Sequence, residues 1–462
     1  VYKNDTHKSV KKTDSLLKLS KKSNQPNNYS KIAFDFSGKI YKKNILQALK
    51  YTHKALTNFE THKLYPEEYY RSIYRIGKFY YWNQEYDNAI DYYKKLIQVS
   101  KNNQRTASAY TGIARCYREK NDLFKSVEFF KKGIRILESN NLNKRLIVEY
   151  NDFSRTYIKL GYTKEREIVL NNAKNLMQKN KAPVRTQMIV LNSLGLLYTE
   201  KNMYNYNESK LYYLKSLKLA KVKNHDNYLE LIYNNLAYLY NIEKKDSAKH
   251  YIKMGLKLNP DKLTKARLHD NYSDYYLIRN DYKNALKYIN QALFINLDYV
   301  ITDNANLLSL RLSKNKDYSL YCLNRKAEIL IKLYEKEKNK SYLTEAFNAI
   351  KYADNLIEII QEDFSEEKNK LHWRKEASKI YAKGAYISFL LENVTDFFHY
   401  SEKNKTMLLT ESILKNTSYT HLPKNIAKKE KKLKQLILKL ENSDFRKTDK
   451  FQDSLFNAKI VY

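Results

Sequence analysis

The chain has 462 residues, with 85 Lys and Arg against 50 Asp and Glu, so it carries a formal charge of +35. Only 8 Gly and 5 Pro supply turns, too few for a many-stranded sandwich, a barrel or a Gly-rich nucleotide fold, and helix is left as the default. Cys116 and Cys322 stand too far apart for a disulfide framework or a Cys-x-x-Cys metal pair, and no apolar run nears the roughly 20 residues of a membrane-spanning helix.

Taken in chain order, residues 1–28 read as an N-terminal helix and polar loop, the loop lying over residues 22–30 after a short amphipathic helix. Ala33, Phe36, Ser37 and Ile40, leading to Ala48 and Ala55, suggest a first helix pair. A repeated pattern then sets in: apolar, small, any, any, Tyr. It occurs at Ile76–Tyr80, Ile113–Tyr117, Leu194–Tyr198 and Leu236–Tyr240, and Phe153-Ser154 with Tyr157 and Tyr272-Ser273 with Tyr276 continue it. Each copy is followed by a second small and large set, such as Ala89 with Tyr93, Ser126 with Phe130 and Gly133, or Ala285 with Ile289 and Ala292. Two helices are specified per unit: small residues let the pair approach closely, and Tyr and Leu fill the space beside the contact. Pro66 and Pro183 read as helix starts and Pro260 as a helix end.

This pattern resembles the tetratricopeptide repeat. The small residue of the first helix falls at Gly77, Ala114, Ser154, Gly195, Ala237, Ser273 and Ala327, at intervals of 36 to 54 residues. The intervals exceed the family's usual length, so longer helices or wider turns are expected, with irregular linkage at residues 296–318. The resemblance implies an all-α fold: a right-handed superhelical solenoid of antiparallel helix hairpins, with the array over 29–364 and a further helix pair over 365–420.

The C-terminal part is more distinctive. Phe398-His399-Tyr400-Ser401-Glu402-Lys403-Asn404-Lys405, the following Leu408-Leu409, then Leu422-Pro423 and a charged helix from Ala427 to Leu440 resemble the last repeat and linker of bacterial tetratricopeptide proteins. In those proteins the array precedes a CHAT domain, a caspase-like cysteine peptidase. The resemblance implies that 421–462 leads towards such a covalently attached peptidase domain, and it assigns no catalytic residue within this sequence. The chain starts at Val1, from which an upstream segment is expected to have been removed. The expected compartment is the cytoplasm, with a cleaved signal peptide as the open alternative.

The chain itself offers little chemistry. There is no His-Glu-x-x-His, Cys-x-x-Cys or Walker-type loop, so no metal, cofactor or catalytic residue is expected and the chain is not read as an enzyme. Cys116 reads as a buried small hydrophobe, and His372 beside Trp373 as a packed side chain. Lys far outnumbers Arg among the basic residues, which reads as compositional bias; nucleic acid is not the expected partner.

The expected partner is a protein or peptide. In tetratricopeptide arrays, positions 2, 5, 9 and 12 of each first helix line the groove, which here gives Arg71, Tyr74, Lys78 and Tyr81, then Arg115 and Arg118, then Asn151 and Arg155. This early groove is positively charged and suits an acidic peptide. Asn recurs at position 5, at Asn151, Asn192, Asn234 and Asn324, with Asp270 breaking the series and Tyr238 beside it in the groove. Two readings of these amides stay open: a ladder for the backbone of an extended peptide, or bonds to neighbouring helices. Self-assembly through exposed Tyr surfaces, a free-standing adaptor, and a sensor segment of a signalling regulator are the alternative functions.

Overall fold

A computed structural model of the chain describes residues 6–222, 226–297, 315–362 and 367–417. All regular structure among these residues is α-helical. The chain divides into two compact units, Val1–Thr264 and Lys265–Tyr462.

In the first unit, α1 (Thr6–Lys22) precedes six helix pairs. These are α2 (Pro26–Ile40) with α3 (Ile45–Thr61), α4 (Glu67–Trp82) with α5 (Tyr86–Val99), and α6 (Asn103–Glu119) with α7 (Leu123–Ser139). They continue with α8 (Asn143–Leu160) and α9 (Thr163–Lys179), α10 (Val184–Leu197) and α11 (Tyr206–Val222), and α12 (Asp226–Ile242) and α13 (Ser247–Lys257). The second unit is reached through α14 (Lys262–Leu277), which pairs with α15 (Tyr282–Leu297). There follow α16 (Lys316–Glu337) with α17 (Lys340–Glu362), and α18 (Glu367–Leu390) with α19 (Val394–Thr417). Both units are thus stacks of helix hairpins, as the small-residue periodicity anticipates. Pro66 and Pro183 sit at the N-caps of α4 and α10, one residue outside the expected first helical position. The irregular linkage foreseen at 296–318 and the charged helix at 427–440 fall largely or wholly outside the described residues.

The small residues do what their spacing implies. A methyl group on Gly77 would come within 2.8 Å of the Tyr93 ring, and one on Gly195 within 2.6 Å of Tyr213, so each glycine lets a tyrosine of the paired helix lie flat on the backbone. Where the small residue is Ser, its hydroxyl is satisfied inside the pair: Ser273 donates to the Ala285 carbonyl at 2.8 Å, and Ser216 to that of Met188 at 2.9 Å. Between these contacts run Ile73, Ile76, Leu96, Ile113 and Phe79 in the first unit, and Leu323, Ile329, Ile350 and Leu356 in the second, all buried. Burial of such side chains is worth roughly 1.5–3 kcal/mol each, the main term holding a hairpin to its neighbour.

Candidate functional site

At three of the junctions between successive hairpins, the first helices touch through one shared register. The residue after the small residue of one hairpin meets the residue two before the small residue of the next. Gly38, after Ser37, faces Arg75, whose guanidinium would lie 3.2 Å from an added methyl group. Arg115, after Ala114, pairs with Asp152. In the second unit Asp274, after Ser273, pairs with Arg325. Lys78, after Gly77, corresponds to Gly112 in the next hairpin, a position with no side chain to offer.

That register decides which cations are neutralised. Arg115 also bonds Glu149 at 2.6 Å, and Arg118 reaches the Asp152 carboxylate and carbonyl, each at 3.1 Å, and Glu119 at 3.1 Å. Burial alone would raise the Asp152 carboxyl, but Arg118, Arg115 and Arg155 overrule it and hold it far below the usual carboxylate range. Two of the three arginines expected to present charge in the middle of this groove are therefore held by acids of the neighbouring hairpin. Arg155 keeps its charge in solvent, at 3.6 Å from Asp152. Tyr81 donates to Glu119 at 3.3 Å, and burial with that carboxylate pushes its hydroxyl up to about 12.

One step towards the N-terminus the balance reverses. Between α2 and α4 lies a cavity of about 270 Å³ lined by Gly38, Tyr41, Arg71, Tyr74, Arg75, Lys78, Phe79 and Trp82. Three cations and four aromatic rings line it, and no carboxylate does. Arg75 spends its donors on the Phe34 carbonyl and the Ser37 hydroxyl and lies over the Phe34 ring at 3.5 Å. Burial, helped by Arg71 and opposed by Asp35, lowers it to about 10. Lys78 sits 4.6 Å from the Trp82 ring and is lowered by burial and by Arg145, Arg115 and Arg75. Among the described residues no carboxylate pairs with Arg71 or Lys78. Tyr41 stacks on Trp82 at 5.2 Å and on Phe79 at 5.8 Å, which gives the cavity a flat apolar wall. Arg75 and Trp82 escape the sequence reading because they fall outside positions 2, 5, 9 and 12. The signal for Arg75 was Gly38, one hairpin earlier.

The position-5 amides are placed less uniformly. Asn235 donates to Asn192 at 3.0 Å and accepts from the adjacent Asn234 at 3.2 Å, so two of the position-5 amides are joined through it, one bond lying within α12 and the other reaching the neighbouring hairpin. Asn324, in the second unit, accepts from Lys383 at 2.6 Å. Asn151 is buried with its Oδ1 unpartnered. Tyr238 is exposed beside the first group. Asp270, where the series breaks, leaves its Oδ1 buried without a partner. Burial and the neighbouring Asp274 raise its carboxyl, with Arg325 acting against them.

Elsewhere, burial pushes the Cys116 thiol up to about 12, the environment of an inert packed side chain. The side chains of His372 and Trp373 lie outside the described residues. No group of three His, Cys, Asp or Glu that could hold a metal ion occurs among the described residues, and none of the described helices is long and apolar enough to cross a membrane.

Residues 69–139, which span α4 to α7, match the tetratricopeptide repeat family. No curated protein matches the chain. Solved structures similar to it include the apo form of RapI, with 14% identity over 66% of this chain and 99% of that one, at a TM-score of 0.41. A Rap protein complexed with competence and sporulation factor shows 13% identity over 77% and 98%, at 0.49. A tetratricopeptide repeat protein from Parabacteroides merdae shows 16% identity over 57% and 91%, at 0.41.

Proposed function

We propose that this chain is a protein-interaction module whose first-helix face, in the unit Val1–Thr264, holds an acidic segment of a partner protein or peptide. The observation that carries this reading is the cavity between α2 and α4, where Arg71, Arg75 and Lys78 stand against Tyr41, Tyr74 and Trp82 without a carboxylate. A half-buried cation with no counter-charge is costly unless something supplies one, and a carboxylate in this cavity would gain charge-assisted hydrogen bonds in a partly desolvated place. The aromatic wall adds an apolar surface for the residue that bears it. Further along the face, Arg155 and Tyr238 extend the contact surface, while Arg115 and Arg118 act as inter-hairpin ties and the buried Asn151 lies beneath it. Tyr81 and the Asn192 and Asn234 amides frame the same face, and Asn324 belongs to the second unit.

The words at residues 398–440 support a finer reading, in which the occupied array regulates a CHAT peptidase joined on its C-terminal side. It rests on those words alone.

The test is fluorescence anisotropy with labelled peptides that alternate Glu with Leu or Tyr, against their Gln counterparts. Binding should favour the Glu series, weaken steeply with salt, and fall at least tenfold in a chain carrying Arg71→Glu and Lys78→Glu. Equal affinity for the Glu and Gln series, or no loss in the double variant, removes the cavity from the reading.

A further inference from the structure

We propose that the aromatic surface at the turn of the α18–α19 hairpin is the docking site for residues 424–440 of the same chain. Tyr386, Phe389, Val394, Phe397 and Phe398 all stand in solvent there, Phe389 and Val394 at 67% exposure and Phe398 at 61%. The Phe389 and Phe397 ring centroids are 6.4 Å apart and those of Phe397 and Phe398 6.2 Å, so the rings form one patch rather than scattered exposed residues. The charge around them is as unusual. Residues 384–402 contain Glu392, Asp396 and Glu402 and no Lys or Arg, in a chain where 85 of 462 residues are basic. Glu392 meets Lys340 only in an exposed pair, as Glu402 meets Lys405, and such pairs cancel little of the field.

The sequence holds a complement to this surface. Ile426, Leu433, Leu436, Ile437 and Leu440 recur at intervals of seven, three, one and three, the spacing of one helical stripe. Around them residues 424–440 carry Lys424, Lys428, Lys429, Lys431, Lys432, Lys434 and Lys439 against the lone acid Glu430. Apolar stripe meets aromatic patch, and lysines meet the acidic rim. The lengths agree as well. From Phe398 to Thr417, α19 advances by about 29 Å at ~1.5 Å per residue, and a helical stripe over 424–440 would span about 24 Å at the same rise, after six intervening residues. A segment folding back along α19 brings Leu436 and Leu440 to the rings. This proposal is independent of the acidic-peptide reading, which concerns the other unit.

Both native cysteines are buried, so an introduced surface cysteine is the one that reacts. In the full 462-residue chain, Phe398→Cys should react with a thiol reagent at least tenfold more slowly than the same cysteine in a chain that also carries Leu433→Asp and Ile437→Asp, with unchanged helix content by circular dichroism. Pairing Phe398→Cys with Ile437→Cys and adding a short bismaleimide should yield cross-linked monomer. Equal thiol rates, or no cross-link, overturn the proposal. A cross-linked dimer overturns it too and hands the patch to a second copy of the chain.

Discussion

The α6–α8 junction of the first unit and the α14–α16 junction of the second use one geometry with opposite signs. In the first, Arg115 precedes and Asp152 follows; in the second, Asp274 precedes and Arg325 follows. Hairpin stacking brings the two positions together, and the side chains are free to be either member of the pair. Surroundings then separate the junctions. Asp152 is held by Arg115 and Arg118 with Arg155 near, so its carboxylate is over-provided with cations. Asp274 shares Arg325 with Glu328, which Lys383 also holds, and sits beside Asp270, whose carboxyl is raised by burial and by Asp274 against the pull of Arg325 and Arg267.

The largest consequence is expected at Asp152. Replacing it by Ala leaves Arg115 and Arg118 without their shared acid, and chemical denaturation should register a loss of about 3–5 kcal/mol for that unit. A loss below about 1 kcal/mol would make the network ornamental and dissolve the contrast. Next in size is a sign exchange in the second unit. Asp274→Arg combined with Arg325→Asp sets a cation beside Asp270, and the double variant should sit at least 1 kcal/mol above the sum of the two single changes in a double-mutant cycle.

Acid titration separates the units by direction. Asp152 has a depressed folded pKa, so its contribution is present above the ordinary Asp value near 3.8 and disappears as pH falls through the folded value. Asp270 has a raised one: the folded state holds that proton more tightly, and stability drains away as pH rises from near 3.8 through the folded value. Asp270→Asn should therefore gain on the parent chain as pH is raised from 5 to 8, read as a widening difference in Tm; a constant difference would place the carboxyl in ordinary solvent. The smallest effect is expected at Arg155. Its exposed, 3.6 Å pairing predicts that Arg155→Ala changes stability by less than about 1 kcal/mol.

The hairpins were legible because one small residue per helix is a strong constraint: Gly77 and Gly195 could be named from spacing, and the rings of Tyr93 and Tyr213 lie on them. The proposed binding face was legible only as positions. Which of its charges remain available depends on residues some 37 to 51 places away, Asp152 for Arg115 and Arg325 for Asp274, and one sequence does not show which positions will be partners. Lys78 illustrates the point in reverse. Its availability follows from an absence, the missing side chain at Gly112, which acquires meaning only once the register between hairpins is known. The amides split for the same reason: Asn192, Asn234 and Asn235 look alike in the sequence, and only the stacking makes Asn235 the partner of Asn192.

Arg75 gives the N-terminal hairpins a property of their own. A half-buried guanidinium with no carboxylate lining its cavity, its proton affinity lowered by burial to about 10, is a place where an incoming anion would be stabilising. On the proposed function, occupancy and folding would be linked: the bound state would be the more rugged one, by RT ln(1 + [L]/Kd), and the acidic partner would act as the last structural element of the hairpin that receives it.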